Sequence, residues 1–285
     1  MFDRVIVSTD EDKRFIQFVP IVSAAWKRYF PEVSLSIAFV TDRNLDDPLV
    51  QKIQQYGDVH LYPTVEGIPT ANLAKISRHL TACKFPNEVC MIEDMDTIPL
   101  QREYFENRTS YRNPGELLQV GAEIFIGTSL EGKAPMSTIT TEGSVFQQII
   151  NPQGLNYQDL IDSWRNINVY HDNESISNPS DNFSDESLLR VLRDQWMAED
   201  LNRIVHNVSR SVHIQQDWID RSWWKIDEDK LKGGGYVTCN FLRPFDEHYE
   251  EIVPIIEHIY SCSVHGYIIP SKEEIILSTG ETNEL

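Results

Sequence analysis

The chain has 285 residues and carries 25 lysine and arginine residues against 44 aspartate and glutamate residues, a formal net charge of −19. This charge balance argues against a protein that binds nucleic acid or docks on anionic lipid, because both need a basic surface. Hydrophobic residues form 41% of the chain and aromatic residues 10%, values that are typical of a globular protein. A phosphate-containing small molecule remains compatible with this charge if a metal ion or local cations offset the repulsion.

The first hundred residues alternate between short apolar runs and amphipathic segments. The predicted strands cover 4–8, 35–40, 59–62 and 88–92, and the predicted helices cover 14–29, 46–56 and 70–83. Alternation with short turns predicts an α/β fold, in which helices flank a mixed, mainly parallel central sheet. Ligands bind such sheets beyond the carboxyl ends of the strands, where this chain has polar residues.

After residue 100 this alternation stops. Further segments are a strand at 117–126, a helical stretch at 143–165 that is interrupted at 151–154, a polar loop at 171–184, a helix at 185–196, short strands within 204–240, and a helix at 245–259. No internal repeat or linker-like tract divides the chain. The sequence therefore predicts one mixed α/β domain.

Two features bear on the compartment. No segment approaches the roughly 20 consecutive apolar residues of a membrane span, and the N-terminus lacks the pattern of a signal peptide. The four cysteines lack the spacing of a metal site and are expected to be reduced thiols. We therefore expect a cytoplasmic protein, in a bacterium or, for a viral protein, in the host cytosol.

An acidic pair, Asp94-Met95-Asp96, directly follows the fourth predicted strand. The chain contains two other Asp-x-Asp triplets, so position rather than pattern distinguishes this one. Two carboxylates at the end of a strand can face one point, and hard oxygen ligands suit Mg²⁺ or Mn²⁺. The alternative is that the pair caps a turn, a common role of aspartate.

Residues 74–100, AKISRHLTACKFPNEVCMIEDMDTIPL, resemble the nucleotide-sugar-binding half of GT-A-type glycosyltransferases, and the resemblance extends over residues 3–100. It implies a single GT-A-like (Rossmann-like) domain over 1–285. The nucleotide-sugar-binding half would be 1–100, the acceptor-binding half 101–260, and a C-terminal segment 261–285. The implied reaction moves a sugar from a UDP- or GDP-sugar to a hydroxyl of a glycan or glycoprotein, with Mn²⁺ or Mg²⁺ as cofactor.

The resemblance also implies roles for individual residues. Asp94 and Asp96 match the metal-bridging carboxylates of the family. Lys75 and Arg78 share a helix face and match basic positions near the donor, although a solvated helix face is the alternative for both. The residues implied to bind the nucleotide sugar are Ser8, Thr9, Asp10, Lys75, Arg78 and Asp94.

A second carboxylate pair, Asp185 and Glu186, opens the predicted helix that follows the polar loop. In the resemblance, such a pair contacts donor or acceptor, so both residues are catalytic candidates. A general base here would deprotonate the acceptor hydroxyl and invert the anomeric carbon, whereas a positioning role would allow retention. Capping of the helix, with Ser184 as N-cap, is the alternative.

Several residues in the C-terminal third are candidates for binding a metal ion, a phosphate or a sugar. The family often has a histidine as third metal ligand where this chain has Asn240, so Asn240 or His265 is the candidate. Arg243 is a further candidate for binding phosphate. The tryptophans at 218, 223 and 224 fit either core packing or a platform on which sugar rings stack.

Three other functions compete. A sugar-1-phosphate nucleotidylyltransferase would have a glycine-rich loop after the first strand, and residues 8–14 contain no glycine. A phosphatase of the haloacid dehalogenase type would have its nucleophile at the end of the first strand, not the fourth. A catalytically degenerate fold that binds glycans or partners is supported by the missing histidine.

Overall fold

The computed structural model describes residues 1–121, 123, 134, 137–165, 167, 185–210 and 214–261. Within these residues the strands are β1 (Arg4–Thr9), β2 (Ser34–Val40), β3 (Asp58–Tyr62), β4 (Val89–Ile92), β5 (Thr97–Pro99), β6 (Leu117–Val120), β7 (Ile139–Glu142), β8 (Val205–Val208), β9 (Trp218–Asp220) and β10 (Thr238–Asn240). The helices are α1 (Lys13–Ile16), α2 (Val19–Tyr29), α3 (Pro48–Gln54), α4 (Thr70–Ala82), α5 (Arg102–Thr109), α6 (Gly143–Ile150), α7 (Tyr157–Arg165), α8 (Asp185–Glu199), α9 (Ile214–Asp217), α10 (Glu228–Lys232) and α11 (Tyr249–Ser261). A 3₁₀ turn covers Arg221–Trp223.

A seven-stranded sheet forms the centre of the fold, in the order β3-β2-β1-β4-β7-β6-β8. Strands β3, β2, β1 and β4 are mutually parallel, β6 pairs with β8 in parallel, and β7 is antiparallel to both of its neighbours. The predicted α/β fold with a mixed, mainly parallel sheet is therefore confirmed. A second, three-stranded sheet has the order β5-β10-β9.

The central strands are buried on both faces, and their side chains alternate between two hydrophobic clusters. Val5 and Val7 of β1 belong to the cluster that contains residues of α2 and α11, whereas Ile6 belongs to the cluster with residues of α4, α6 and α8. This arrangement explains the apolar, β-branched character of these short strands. Both faces are thus covered by helices, which leaves the strand ends accessible.

Some predicted boundaries differ from the observed ones. The helix predicted at 14–29 is divided at Gln17 and Phe18 because Pro20, in the first turn of α2, has no N–H to donate to Ile16. The helical stretch predicted at 143–165 is interrupted, as expected, between α6 and α7. The strand predicted at 117–126 ends at Val120 as β6, with most of its remainder outside the described residues.

Strands β5 and β7 and helix α5 were not predicted from the sequence. The polar loop at 171–184 lies outside the described residues, and the division of the domain into two halves stays a prediction. None of the helices in the described ranges has both the length and the apolar character needed to span a membrane. The three cysteines among the described residues, Cys83, Cys90 and Cys239, are free thiols.

Candidate functional site

The acidic pair lies in the tight connection between β4 of the large sheet and β5 of the small sheet. The backbone N–H of Thr97 donates to the carbonyl of Asp94 at 3.1 Å, and the N–H of Phe241 donates to the carbonyl of Asp96 at 2.8 Å. These hydrogen bonds fix the connection from both sides. The pair therefore occupies the junction of the two sheets, at the carboxyl end of β4.

A cavity of about 340 Å³ opens at this junction. It brings together most of the site residues predicted from the sequence, and it adds one that was not predicted, Arg221. Its polar lining consists of Ser8, Thr9, Asp10, Lys75, Arg78, Asp94, Asp96, Glu186, Arg221 and Arg243.

Asp94 is paired with Arg78 from helix α4. The guanidinium Nη1 of Arg78 donates to Asp94 Oδ1 at 2.6 Å and to the carbonyl of Glu93 at 2.9 Å. Desolvation acts to raise the pKa of Asp94, but Arg78, together with the positive charges of Arg221 and Arg210, holds that pKa below its ordinary value. Arg78 is buried, so the solvated-face alternative fails for this residue, while the Asp94 side chain stays 38% exposed.

Asp96 is held by two arginines from the C-terminal part of the chain. Its Oδ2 atom lies 2.5 Å from Nη1 of Arg221 and 3.1 Å from Nε of Arg243. The carboxylate is only 4% exposed. Burial raises the pKa of Asp96, Arg221 opposes this shift, and the negative charge of Asp94 adds to it.

The structure describes one of the two candidates for a third metal ligand. The side-chain oxygen of Asn240 accepts a hydrogen bond from Arg221 at 2.7 Å, and its amide nitrogen donates to Asp220 at 3.3 Å. Asn240 therefore orients Arg221. His265 lies outside the described residues.

The carboxylates of Asp94 and Asp96 are the described groups that could hold a divalent ion. Within the described ranges, no group of three or more histidine, cysteine, aspartate or glutamate side chains is placed to hold a metal. Mg²⁺ and Mn²⁺ are commonly bound by one or two carboxylates, with phosphate oxygens and water completing the shell. Asp94 and Asp96 fit that pattern, provided that the ion displaces the arginines that now contact these carboxylates or shares the carboxylates with them.

The end of β1 is tied to the start of α4. The two carboxylate oxygens of Asp10 accept hydrogen bonds from the hydroxyl of Thr70 at 2.7 Å and from the backbone N–H of Asp12 at 3.1 Å. A wider cavity of about 840 Å³ lies beside the first one and shares Asp10 and Ala71 with it. The two cavities together form one cleft along the carboxyl ends of β1 and β2.

The second predicted carboxylate pair lies at the start of α8, as expected. Glu186 lines the cavity of the acidic pair, and its carbonyl accepts a hydrogen bond from the N–H of Ala134 at 3.3 Å. The backbone of Asp185 opens the helix, but its side chain lies outside the described part of the structure, as does Ser184. Glu186 is thus the member of the pair that the structure places in the cleft.

Two further residues at the site were missed by sequence reasoning. Arg221 follows β9 and had no local signal, because its proximity to Asp96 arises only in the folded chain. Glu93 is fully buried beside the pair, with its carboxylate hydrogen-bonded by the hydroxyl of Thr138, and burial raises the pKa of Glu93 to about 7. The only sequence signal for Glu93 is that an acidic residue directly follows an apolar strand.

The chain was compared with known protein families, sequences and structures, and the two structures described below resemble it only weakly. No protein-family model matches the chain, and no curated protein sequence is significantly similar to it. Among solved structures, residues 1–349 of S. aureus TarS are 13% identical with a TM-score of 0.40, covering 90% of this chain and 65% of that one. The galactosyltransferase LgtC, solved with donor and acceptor sugar analogues, is 6% identical with a TM-score of 0.43, covering 85% and 87%.

The chain therefore spans less than two thirds of the TarS fragment. Neither likeness is close enough to assign a substrate or a mechanism. The class that the described residues define is an α/β protein with a charged cleft at the carboxyl ends of its parallel strands.

Proposed function

We propose that the protein is a glycosyltransferase that moves a sugar from a nucleotide-diphosphate sugar, a UDP- or GDP-sugar, to a hydroxyl of a glycan or glycoprotein. The observation that carries this proposal is the cluster of Lys75, Arg78, Arg221 and Arg243 at the acidic pair. The cavity lining balances these four cations against four carboxylates, although the whole chain has 25 basic and 44 acidic residues. Arginine forks match the geometry of phosphate oxygens, so a diphosphate suits this location.

In this proposal a divalent ion, Mn²⁺ or Mg²⁺, is held by Asp94 and Asp96. When bound, the ion supplies positive charge to the diphosphate and so stabilises the leaving nucleotide. Arg78 orients Asp94 through its 2.6 Å contact. Arg221 and Arg243 contribute N–H donors at the place where negative charge develops on the leaving phosphate.

The ends of β1 and β2 hold the rest of the nucleotide. Ser8, Thr9, Asp10 and Lys75 line the wall of the smaller cavity, and Asp10 also lines the larger one. Because Asp10 is fixed by Thr70, the wall is formed before the ligand binds. A preformed wall reduces the ordering cost of binding.

Glu186 is the described candidate for activating the acceptor. As a general base, its carboxylate would take the proton from the acceptor hydroxyl as that oxygen attacks the anomeric carbon, and configuration would invert. If Glu186 or Asp185 instead positions the sugar, retention is possible. The stereochemistry of the product distinguishes the two roles.

A second candidate function is binding of a glycan or a partner by a catalytically inactive fold. The observation in its favour is that each carboxylate of the acidic pair is already neutralised by arginine. An ion must compete with these contacts. A protein that has lost metal binding would retain them.

The test is an assay of hydrolysis and transfer with a panel of UDP- and GDP-sugars in the presence of Mn²⁺. We expect the wild type to release nucleotide and Asp96→Ala to be inactive. Asp229→Ala is the matched control, because Asp229 belongs to another Asp-x-Asp triplet and is exposed on helix α10. Absence of both turnover and metal-dependent nucleotide binding would reject the proposed enzyme and favour the binding protein.

A further inference from the structure

A separate cavity of about 460 Å³ lies at the other end of the small sheet. Its lining comprises Trp218, Trp223, Tyr236, Gln216, Lys225, Asp227 and Lys230, none of which lines the cavity of the acidic pair. The strand register places Asp220 and Thr97 on either side of Asn240, near Asp96, and Trp218 and Pro99 on either side of Thr238. The small sheet therefore joins the two cavities.

Trp223 differs from the other tryptophans of the chain. Trp26, Trp164, Trp196 and Trp218 are buried, and Trp224 packs against the hydrophobic core. Trp223 is 40% exposed on the wall of the cavity. An indole carries a large apolar face whose exposure to water is unfavourable, so a ligand that covers it gains that free energy.

The part of the cavity lining that contains Tyr236 and Lys230 is fixed by internal contacts. The hydroxyl of Tyr236 accepts a hydrogen bond from the N–H of Asp227 at 3.0 Å, and Nζ of Lys230 lies 4.7 Å from the centre of the Tyr236 ring. A Cβ atom on Gly235 would lie 2.5 Å from Cγ of Lys230. Glycine at this position thus lets the chain pass close enough to bring Tyr236 against Lys230.

We propose that this cavity, here called the Trp223 subsite, binds a sugar ring of the acceptor glycan. The C–H groups of a pyranose carry partial positive charge and stack on the negative face of an indole. Lys225 and Asp227 provide a donor and an acceptor for hydroxyl groups, the mixture of aromatic and polar groups that carbohydrate recognition requires.

The position of the subsite suits a glycan that also reaches the reaction centre. Trp218 and Arg221 are three residues apart, so their Cα atoms are separated by at most about 11 Å. A chain of a few sugars can therefore occupy the Trp223 subsite while its terminal hydroxyl lies near Asp96. This step rests on the proposed function, whereas saccharide binding at Trp223 does not require it.

The experiment begins with a glycan array probed with the full chain and with Trp223→Ala. The strongest ligand is then titrated into protein labelled with 5-fluorotryptophan, in which Trp223→Phe assigns the ¹⁹F resonance of Trp223. We expect that resonance to shift, and Trp223→Ala to weaken binding by about tenfold or more. Trp223→Tyr, which keeps an aromatic face, should lose less.

Tyr111→Ala is the matched control, because Tyr111 is an aromatic residue that is 57% exposed and does not line this cavity. The proposal is overturned if no glycan binds the wild type better than Trp223→Ala, or if the Trp223 resonance does not move. Binding of UDP and GDP with Mn²⁺ is measured on the same samples. Nucleotide binding with an unmoved Trp223 resonance rejects the subsite alone, and saccharide binding without nucleotide binding rejects the proposed transfer alone.

Discussion

Arg221 donates to Asp96 Oδ2 at 2.5 Å and to the side-chain oxygen of Asn240 at 2.7 Å, and so joins the acidic pair to the C-terminal part of the chain. Asp96 is nearly inaccessible, and a buried carboxylate without a partner would be strongly disfavoured. Arg221 therefore does two things in the described structure. It neutralises Asp96, and it places a guanidinium at the mouth of the cleft.

Replacement of Arg221 tests its role toward phosphate. We expect Arg221→Ala to lower the affinity for UDP or GDP by about tenfold or more, because a charge-assisted hydrogen bond to phosphate is lost. Arg221→Lys should recover part of the affinity through its charge. Isothermal titration calorimetry measures both, with Arg165→Ala, on the exposed end of α7, as control. Equal affinities in wild type and Arg221→Ala would contradict the role.

Removal of metal tests the acidic pair. Because the chain has a net charge of −19, the anionic donor approaches it only where positive charge is concentrated. We expect chelation to lower nucleotide affinity by about tenfold or more, and added Mn²⁺ to restore it, since a bound divalent ion is the largest local charge in such a site. If affinity is unchanged after chelation, Asp94 and Asp96 do not bind a metal that contacts the nucleotide.

The carboxylates at the start of α8 are tested by isosteric amides. We expect Glu186→Gln to lower turnover by about a hundredfold with little change in nucleotide affinity, because a general base is lost while the cleft is preserved. Asp185→Asn is assayed in parallel, and product stereochemistry is determined by NMR. Unchanged turnover in both variants would remove the pair from the mechanism.

His79 on α4 predicts a pH dependence of stability. The side chain is fully buried, both ring nitrogens lack a hydrogen-bond partner among the described residues, and burial lowers the pKa of His79 well below its ordinary value. The native state therefore holds neutral imidazole, whereas the unfolded chain gains a proton below about pH 6.5. This contribution to stability is complete above that pH and is lost as the pH falls.

Urea unfolding at pH 7.5 and pH 5.5 measures the effect. Between pH 7.5 and pH 5.5 we expect the free energy of unfolding to fall by about 1 kcal/mol more in the wild type than in His79→Leu. The reason is that only the wild type has an imidazole at position 79 that binds a proton on unfolding. His206→Gln is the control, since His206 is partly exposed and bonded to Glu116. A pH dependence that is the same in wild type and His79→Leu would show that His79 does not carry it.

The first four strands were predictable because their signal is local. Short β-branched runs that end in polar residues alternate with helical periodicity, and β1 to β4 begin and end within one residue of the predicted bounds. Strand β7 escaped prediction because Ile-Thr-Thr-Glu has no apolar run, and its burial comes from the neighbours β4 and β6. Strand β5 has only three residues, too few for a periodic signal.

The sequence by itself determined the α/β class and the position of Asp94, Asp96 and Arg78 around one strand end, because these residues lie within one helix–strand unit. Only the tertiary structure decided that Arg221 and Arg243 complete that site. Arg221 is 125 residues from Asp96 along the chain. It reaches the carboxylate because β10 pairs with both β5 and β9, which brings the end of β9 close to the start of β5. The strands β5, β9 and β10 have three residues each, too few for a periodic signal that would show which of them pair.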